Sequence, residues 1–311
     1  MALVRMMKFT AVRLAVLSLP LYFRYFPIQR GKTAVWNGIV MRHLILRRLT
    51  LQAKSAFGAR FDIDLRDLLQ RYLYFYGVWE PVITKYLLDR LQDGDVFIDV
   101  GANIGYYTLL AAQRVGANGR VFAVEAASGT YSKLLQNLKQ NGVANVTAFQ
   151  VAVSETTEQV PIWLYNDGEL AGATTLTHVA ERRRPMRIAE TVEAKPLQQI
   201  IDAEIIRQAR FIKIDVEGAE WAVIKSLREL IKSVSPRTEF IVEINSALVG
   251  CAGGSMEELL GYFTDAGFQP FVIANGYNAQ FIGRRVRQVE LHRLEEWTER
   301  QMDIVFRRTA G

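Results

Sequence analysis

Three short stretches gather carboxylates and glycines where strands are expected to end. Asp99, Gly101, Asn103 and Gly105 follow the apolar run DVFIDV (95–100) in the pattern D-x-G-x-N-x-G. Glycines there let the backbone approach a ligand closely and leave free helix N–H groups aimed at it. Glu125 closes a second apolar run, RVFAVE (120–125), 26 residues after Asp99. A carboxylate at that place can accept both hydroxyls of a ribose. The third stretch, KIDVEGAE (213–220), puts Asp215 and Glu217 at the end of another run, and EFIVEIN (239–245) ends on Glu243 and Asn245. Alternation puts Asp215 and Glu217 on one face, and Glu243 and Asn245 on one face, if both stretches stay extended. Acidic residues at a helix N-terminus stabilise it whatever else they do. At a strand end they can also take a proton from a reacting hydroxyl.

The elements that must position these groups alternate. Strands are expected at 95–100, 120–125, 145–153, 210–216 and 239–245, with two more at 268–274 and 302–307. Helical spacing fills 106–115, 129–141, 218–231 and 255–266. This is an α/β chain with a mostly parallel seven-stranded sheet and helices on both faces. Such sheets bind ligands beyond the carboxyl ends of their strands. The loop at 99–105 has Asn103 where a dinucleotide fingerprint needs its middle glycine, which argues against a nicotinamide-dependent oxidoreductase. The spacing D-x-G-x-x-x-G is that of S-adenosylmethionine (SAM) sites, where no pyrophosphate has to be cradled.

Ahead of that domain, GARFDIDL (58–65) alternates as a half-exposed strand. RDLLQRYLYFY (66–76) reads as a helix stopped by Gly77, and Pro81 opens another helix over 81–91. The aromatic group Tyr72, Tyr74, Phe75, Tyr76 and Trp79 is read as packing. Three parts follow: a basic, partly helical arm (1–57), a strand–helix–helix lead-in (58–94) and a SAM-binding domain (95–311). An irregular insertion at 166–194 is placed to cover the strand ends.

The arm is set apart by charge. Of 38 Lys and Arg, eleven lie in residues 1–61, which hold no Asp or Glu; the remainder has 27 basic against 32 acidic residues. Such an arm suits an anionic partner, and an anionic membrane surface through residues 1–50 is one reading. Residues 9–23 are too broken by Arg13 and Pro20 to form a span, which needs about 20 apolar residues. Arg5, Lys8 and Arg13 share an arc of roughly 140° of a helix, with Tyr22, Phe23, Tyr25 and Phe26 at its end, as in helices that lie in a membrane interface. The aromatics cluster rather than interleave with basic residues, so nucleic acid is not expected. One cysteine and three scattered histidines (His43, His178, His292) exclude a disulfide framework and argue against a metal centre. The single thiol fits a cytoplasmic enzyme, peripheral on the inner face of a membrane if the arm binds lipid.

Together these segments resemble the FkbM family of SAM-dependent methyltransferases. The resemblance rests on Gly77-Val78-Trp79-Glu80-Pro81, on Asp95 to Thr108, on Val124-Glu125, on Leu138 to Asn141 and on Ile212 to Glu220. It spans about residues 58–245, more weakly to 307, and leaves residues 1–50 unmatched. It implies a Rossmann-like class I methyltransferase fold and transfer of a methyl group from SAM to a hydroxyl of a sugar, glycolipid or glycosylated natural product. By this resemblance Asp99, Gly101, Asn103, Gly105 and Glu125 would bind the cofactor, and Asp215, Glu217 and Glu243 would serve catalysis. Two departures stand out: Ala126-Ala127 replace the family's frequent proline after the second-strand glutamate, and Glu243-Ile244-Asn245 replaces Glu-x-His. If that histidine is the family's base, Asp215, Glu217 or Glu243 has to serve in its place. A non-catalytic adaptor that uses the basic arm is the competing reading; intact Asp99, Gly101, Gly105, Glu125 and Asp215 weigh against it.

Overall fold

The computed structural model describes residues 16–26, 31–44, 49–165, 186–276, 286–297 and 301–309. Residues 16–25 form helix α1; α2 (Lys32–Val35) runs into a π-helical stretch, Trp36–Leu44. A hairpin of β1 (Thr50–Lys54) and β2 (Arg60–Asp64) follows, then α3 (Leu68–Tyr76) and α4 (Pro81–Arg90). Asp67 starts α3 by accepting from the Gln70 N–H at 2.9 Å, and Gly77 ends it at φ 77°. The boundary expected at residue 57 therefore falls inside a hairpin. The described end of the arm packs with the lead-in, because β1 satisfies the edge of β2.

The central sheet alternates as expected: β3 (Val96–Val100), α5 (Tyr106–Val115), β4 (Arg120–Glu125), α6 (Ser128–Asn141) and β5 (Val146–Gln150). The expected strand 145–153 is split. Its last residues, β6 (Ala152–Val153), join β7 (Glu158–Tyr165) and β8 (Met186–Lys195) in a separate three-stranded sheet. Residues 186–194 of the expected insertion are thus a regular strand paired with β7, since MRIAETVEAK can satisfy its backbone in that register; residues 166–185 lie outside the described residues. Short helices α7 (Leu197–Ile200) and α8 (Ala203–Gln208) lead to β9 (Phe211–Ile214), α9 (Glu220–Ile231) and β10 (Glu239–Asn245). Then come α10 (Ser246–Cys251), α11 (Met256–Thr264), β11 (Gln269–Ile273), β12 (Leu291–Arg293) and β13 (Gln301–Arg307).

The strand order is β12-β11-β13-β10-β9-β3-β4-β5. The seven expected strands gain an eighth, the three-residue β12, at one edge. β13 enters antiparallel between β10 and β11, and β9, β3, β4, β5 and β10 run parallel. Alternation along the strands builds two cores. Phe97, Val121, Ala123, Phe211, Ile241 and Val305 face the side covered by α3, α4 and α5. Ile98, Phe122, Val124, Ile212, Val242 and Ile304 face α9 and α11. Among the described residues no helix is long and apolar enough to cross a membrane.

Candidate active site

The strand order reverses between β3 and β9, with the chain crossing to opposite sides of the sheet, which opens a crevice at the carboxyl ends of these strands. Gly101 takes φ 86° just after β3, and its N–H and that of Ala102 both donate to the Val124 carbonyl at 2.9 Å. A Cβ on Gly101 would lie 1.8 Å from the carbonyl oxygen of Asp215. Only glycine allows the loop after β3 to touch the loop after β9. Asp215 returns the contact by donating its N–H to the Val100 carbonyl at 3.0 Å. Gly105, at φ 88°, opens α5 where a methyl would meet Leu134 of α6 at 2.6 Å.

Asn103 holds φ 50°, with its side-chain oxygen accepting from the Ile104 N–H at 2.8 Å. Its own backbone N–H donates to Glu125 Oε2 at 2.9 Å, and the Ala127 N–H donates to Glu125 Oε1 at 2.9 Å. Each Glu125 oxygen keeps a second lone pair, and two adjacent hydroxyls of a ribose require two acceptors. The residues present therefore fit the adenosine end of SAM. Burial pushes the Glu125 carboxyl up to about 7, against the pull of its two N–H donors. Asp99 is 1 % exposed and accepts from Thr108 Oγ1 at 2.6 Å, bracing the first turn of α5 from below the loop.

Residues on the α3–α5 side of the sheet converge next to this loop. Lys213 and Glu243 each stand two residues beyond a buried apolar residue of that face, Phe211 and Ile241. Asp303 stands two residues before Val305 on antiparallel β13, so it reaches the same edge, directly opposite Glu243. Glu80, at the start of α4, and Tyr107 of α5 come down from the covering helices, and Tyr107 donates to Glu80 Oε2 at 2.5 Å. Lys213, with its side chain 3 % exposed, donates to Asp215 Oδ2 at 2.6 Å, and its ammonium lies 4.7 Å from the Tyr107 ring centre.

The charges in this cluster sort themselves. Burial would strip Lys213 of its proton, but Asp215, Glu80 and Asp99 outweigh it and hold the lysine charged. Burial would likewise raise Asp215; Lys213 and a hydrogen bond with Glu243 win and keep Asp215 below the usual carboxylate range. Glu243 is driven well above that range by burial and by the Asp215 charge, and Asp303 by burial and Glu80. The two carboxyls are thus pushed apart, Asp215 toward its ionised form and Glu243 toward its protonated one. Asp215 is the more open of the two, its side chain 25 % exposed. Gln301 donates to Glu243, and Asn275 to Asp303 at 3.1 Å. Glu80, Glu243 and Asp303 bring carboxylate oxygens within 4.8 Å of one another, a spacing a cation could use, although Lys213 already supplies positive charge among these acids.

One expected placement changes. β9 ends at Ile214 and Glu217 sits at φ 47°, so Asp215 and Glu217 do not share a strand face. The turn is held by Glu220, whose Oε1 accepts from the Gly218 N–H at 2.8 Å and whose carboxyl burial raises to about 7. Asn245 keeps its expected place on β10, opposite Gln301 and two residues beyond Glu243, and also caps α10 by accepting from the Ala247 N–H at 3.2 Å. Glu80, Lys213 and Asp303 join the site without having been singled out for it. Lys213 was legible: a lysine inside an otherwise apolar strand, two residues before an aspartate, must be buried and paired.

A mostly parallel sheet with its switch point at β3/β9, a glycine loop after the first of these strands and an acid ending the next define a SAM-dependent methyltransferase. Residues 99–270, more than half of the chain, match the methyltransferase FkbM domain, and the chain belongs to that family. Hexuronic acid methyltransferase AglP of Haloferax volcanii is 23 % identical over 210 residues, covering 68 % of this chain and 80 % of that protein. Methyltransferase sdnD of Sordaria araneosa is 25 % identical over 180 residues, covering 49 % and 68 %. Among solved structures, the FkbM methyltransferase of Methylobacillus flagellatus KT aligns at 15 % identity and a TM-score of 0.42, covering 89 % of this chain and 60 % of that one.

Proposed function

We propose that this enzyme methylates a hydroxyl of a sugar or glycoconjugate, with Asp215 as the group that orients the hydroxyl and receives its proton. The observation that carries this reading is the position of Asp215 at the strand ends, partly open, held by Lys213 at 2.6 Å and in backbone contact with the Gly101 loop, with Lys213 and Glu243 favouring its ionised form. When bound, SAM supplies a methyl already activated by its sulfonium. Asp99 and the Gly101–Gly105 loop form the cofactor side, and Glu125 accepts the ribose hydroxyls. Lys213 and Glu243 hold Asp215 in place. Alignment of acceptor oxygen and methyl can supply ~7–11 kcal/mol, and proton acceptance a further ~10²–10⁴-fold. Glu217, in the turn beside Asp215, is assigned to acceptor binding.

Two features favour a sugar. The AglP relative acts on hexuronic acid by its name. An open depression of about 330 Å³ also lies between α10 and the start of α11, just beyond the end of β10 and lined by Ser246, Ser255, Glu257 and the exposed ring of Trp297. An aromatic ring beside hydroxyl and carboxylate groups suits the mixed apolar and polar faces of a pyranose. Incubation with methyl-labelled SAM and a panel of uronic acid, neutral sugar, polyketide and amine acceptors tests the class. Label in a sugar O-methyl group is expected; label only in amines or non-sugar hydroxyls would overturn it.

The cofactor assignment has its own signature. Ribose hydroxyls donate to Glu125 and so favour its ionised form, while the free carboxyl titrates near 7. SAM affinity is therefore expected to rise with pH up to about 7 and then level off, by at most ~10-fold per pH unit. Glu125→Gln should flatten this dependence, and Glu125→Ala should weaken binding ~10-fold or more, as expected for bonds worth ~1.5–3 kcal/mol. Calorimetric titration across pH checks both. A flat wild-type profile with unchanged affinity in the alanine variant would remove Glu125 from the ribose.

A further inference from the structure

The inner face of α1 is pinned to the protein, and its outer face is held out. Phe23 is 2 % exposed and packs edge-on against Trp36 and Phe75. Arg24 donates to the Lys54, Leu73 and Tyr74 carbonyls at 2.7–2.9 Å, closing the end of α3, and the Tyr74 hydroxyl donates to the Val16 carbonyl at 3.0 Å. These contacts fix the rotation of the helix. On the other side Leu17, Leu21 and Tyr25, spaced i, i+4, i+8, are 68 %, 62 % and 74 % exposed, with Phe26 beside them. Half of the large apolar side chains exposed among the described residues lie in this one segment.

The surroundings say what would cover it. Residues 1–61 have eleven basic side chains and no acidic one, whereas the rest of the chain is net acidic. Arg24 and Lys32 are used inside the fold, but Arg42, Lys54 and Arg60 are exposed. A second copy would bring two arms of the same charge together, which disfavours self-association through this face. An anionic bilayer fits both properties: its charge attracts the arm and turns the acidic remainder away, and its interfacial layer accepts Leu and Tyr. We propose that the outer face of α1 docks on an anionic lipid surface, with Leu17, Leu21 and Tyr25 entering the interface. The proposal is independent of the acceptor.

Sedimentation of the full-length protein with phosphatidylcholine vesicles, with and without phosphatidylglycerol, tests it at low and high salt. Binding is expected only with the anionic lipid and should weaken as salt rises. The Leu17→Ser/Leu21→Ser/Tyr25→Ser variant should need ~10-fold more lipid for half-binding, with unchanged SAM affinity and melting temperature. Undiminished binding by this variant would overturn the proposal, as would absence of wild-type binding. So would a wild-type dimer in light scattering that the variant abolishes, which would assign the face to a second copy.

Discussion

Asp215→Asn is expected to lower kcat by ~10²–10⁴-fold while SAM affinity stays close to that of the parent enzyme. The amide keeps the shape of the carboxylate, and its oxygen can still accept from Lys213 Nζ, now at 2.6 Å from Asp215 Oδ2. What it loses is the charge that draws the acceptor's proton. Because Lys213 and Glu243 keep Asp215 ionised across the neutral range, the parent enzyme should hold its activity at neutral pH and lose it on the acid side. The variant should lack that acid limb. Single-turnover transfer of labelled methyl, beside calorimetry with SAM, separates the two effects. A variant with full kcat would take Asp215 out of the chemistry, and one with lost SAM binding would move it to the cofactor.

Lys213→Met should cost ~3–5 kcal/mol of folding stability, the usual consequence of breaking a buried ion pair from one side. Methionine fills a similar volume, so the loss is electrostatic. Asp215, Glu80 and Asp99 all lean on this ammonium, and Glu243 and Asp303 stand close to them. Without it Asp215 loses the charge that holds its pKa down, and Asp99 and Asp303, already raised above their unfolded values, rise further. A carboxyl whose pKa is raised by folding binds more protons in the native state, so stability falls as pH climbs from the unfolded value toward the folded one. The variant's deficit should therefore be smaller at about pH 5.5 than at about pH 8. Urea denaturation at both pH values gives the answer. Parent-like stability at the higher pH would mean that the lysine does not neutralise the cluster.

The groups that were legible in the sequence share one property: their partners lie nearby in the chain. Asp99 to Gly105 and Glu125 announce themselves because an apolar strand run stops on them, and the structure brings them together through the Asn103–Glu125 contact. The five parallel strands were readable for the same reason. Glu80 was not, since a glutamate before Pro81 reads as an ordinary helix start, and only the packing of α3 and α4 on the sheet carries it to Tyr107. Asp303 was hidden by topology. Its strand pairs antiparallel with β10, and periodicity reveals no pairing direction. Glu217 was misplaced because alternation was carried past the last residue of β9, into a turn. In the arm, charge was visible in composition, but which arginine serves the fold was not; Arg24 is half-buried and holds the end of α3.

The backbone contact between Gly101 and Asp215 makes one lever of two loops. No side chain stands between them to absorb a shift, and the Asp215 N–H is tied to the end of β3. On the proposed assignment, a cofactor settling against the first loop would press on the residue that meets the acceptor, and an acceptor gripping that residue would press back. Such coupling is reciprocal by thermodynamic necessity: each ligand must alter the other's affinity by the same factor. The proposed arrangement would then let the enzyme sense whether both halves of its reaction are present before any bond is made.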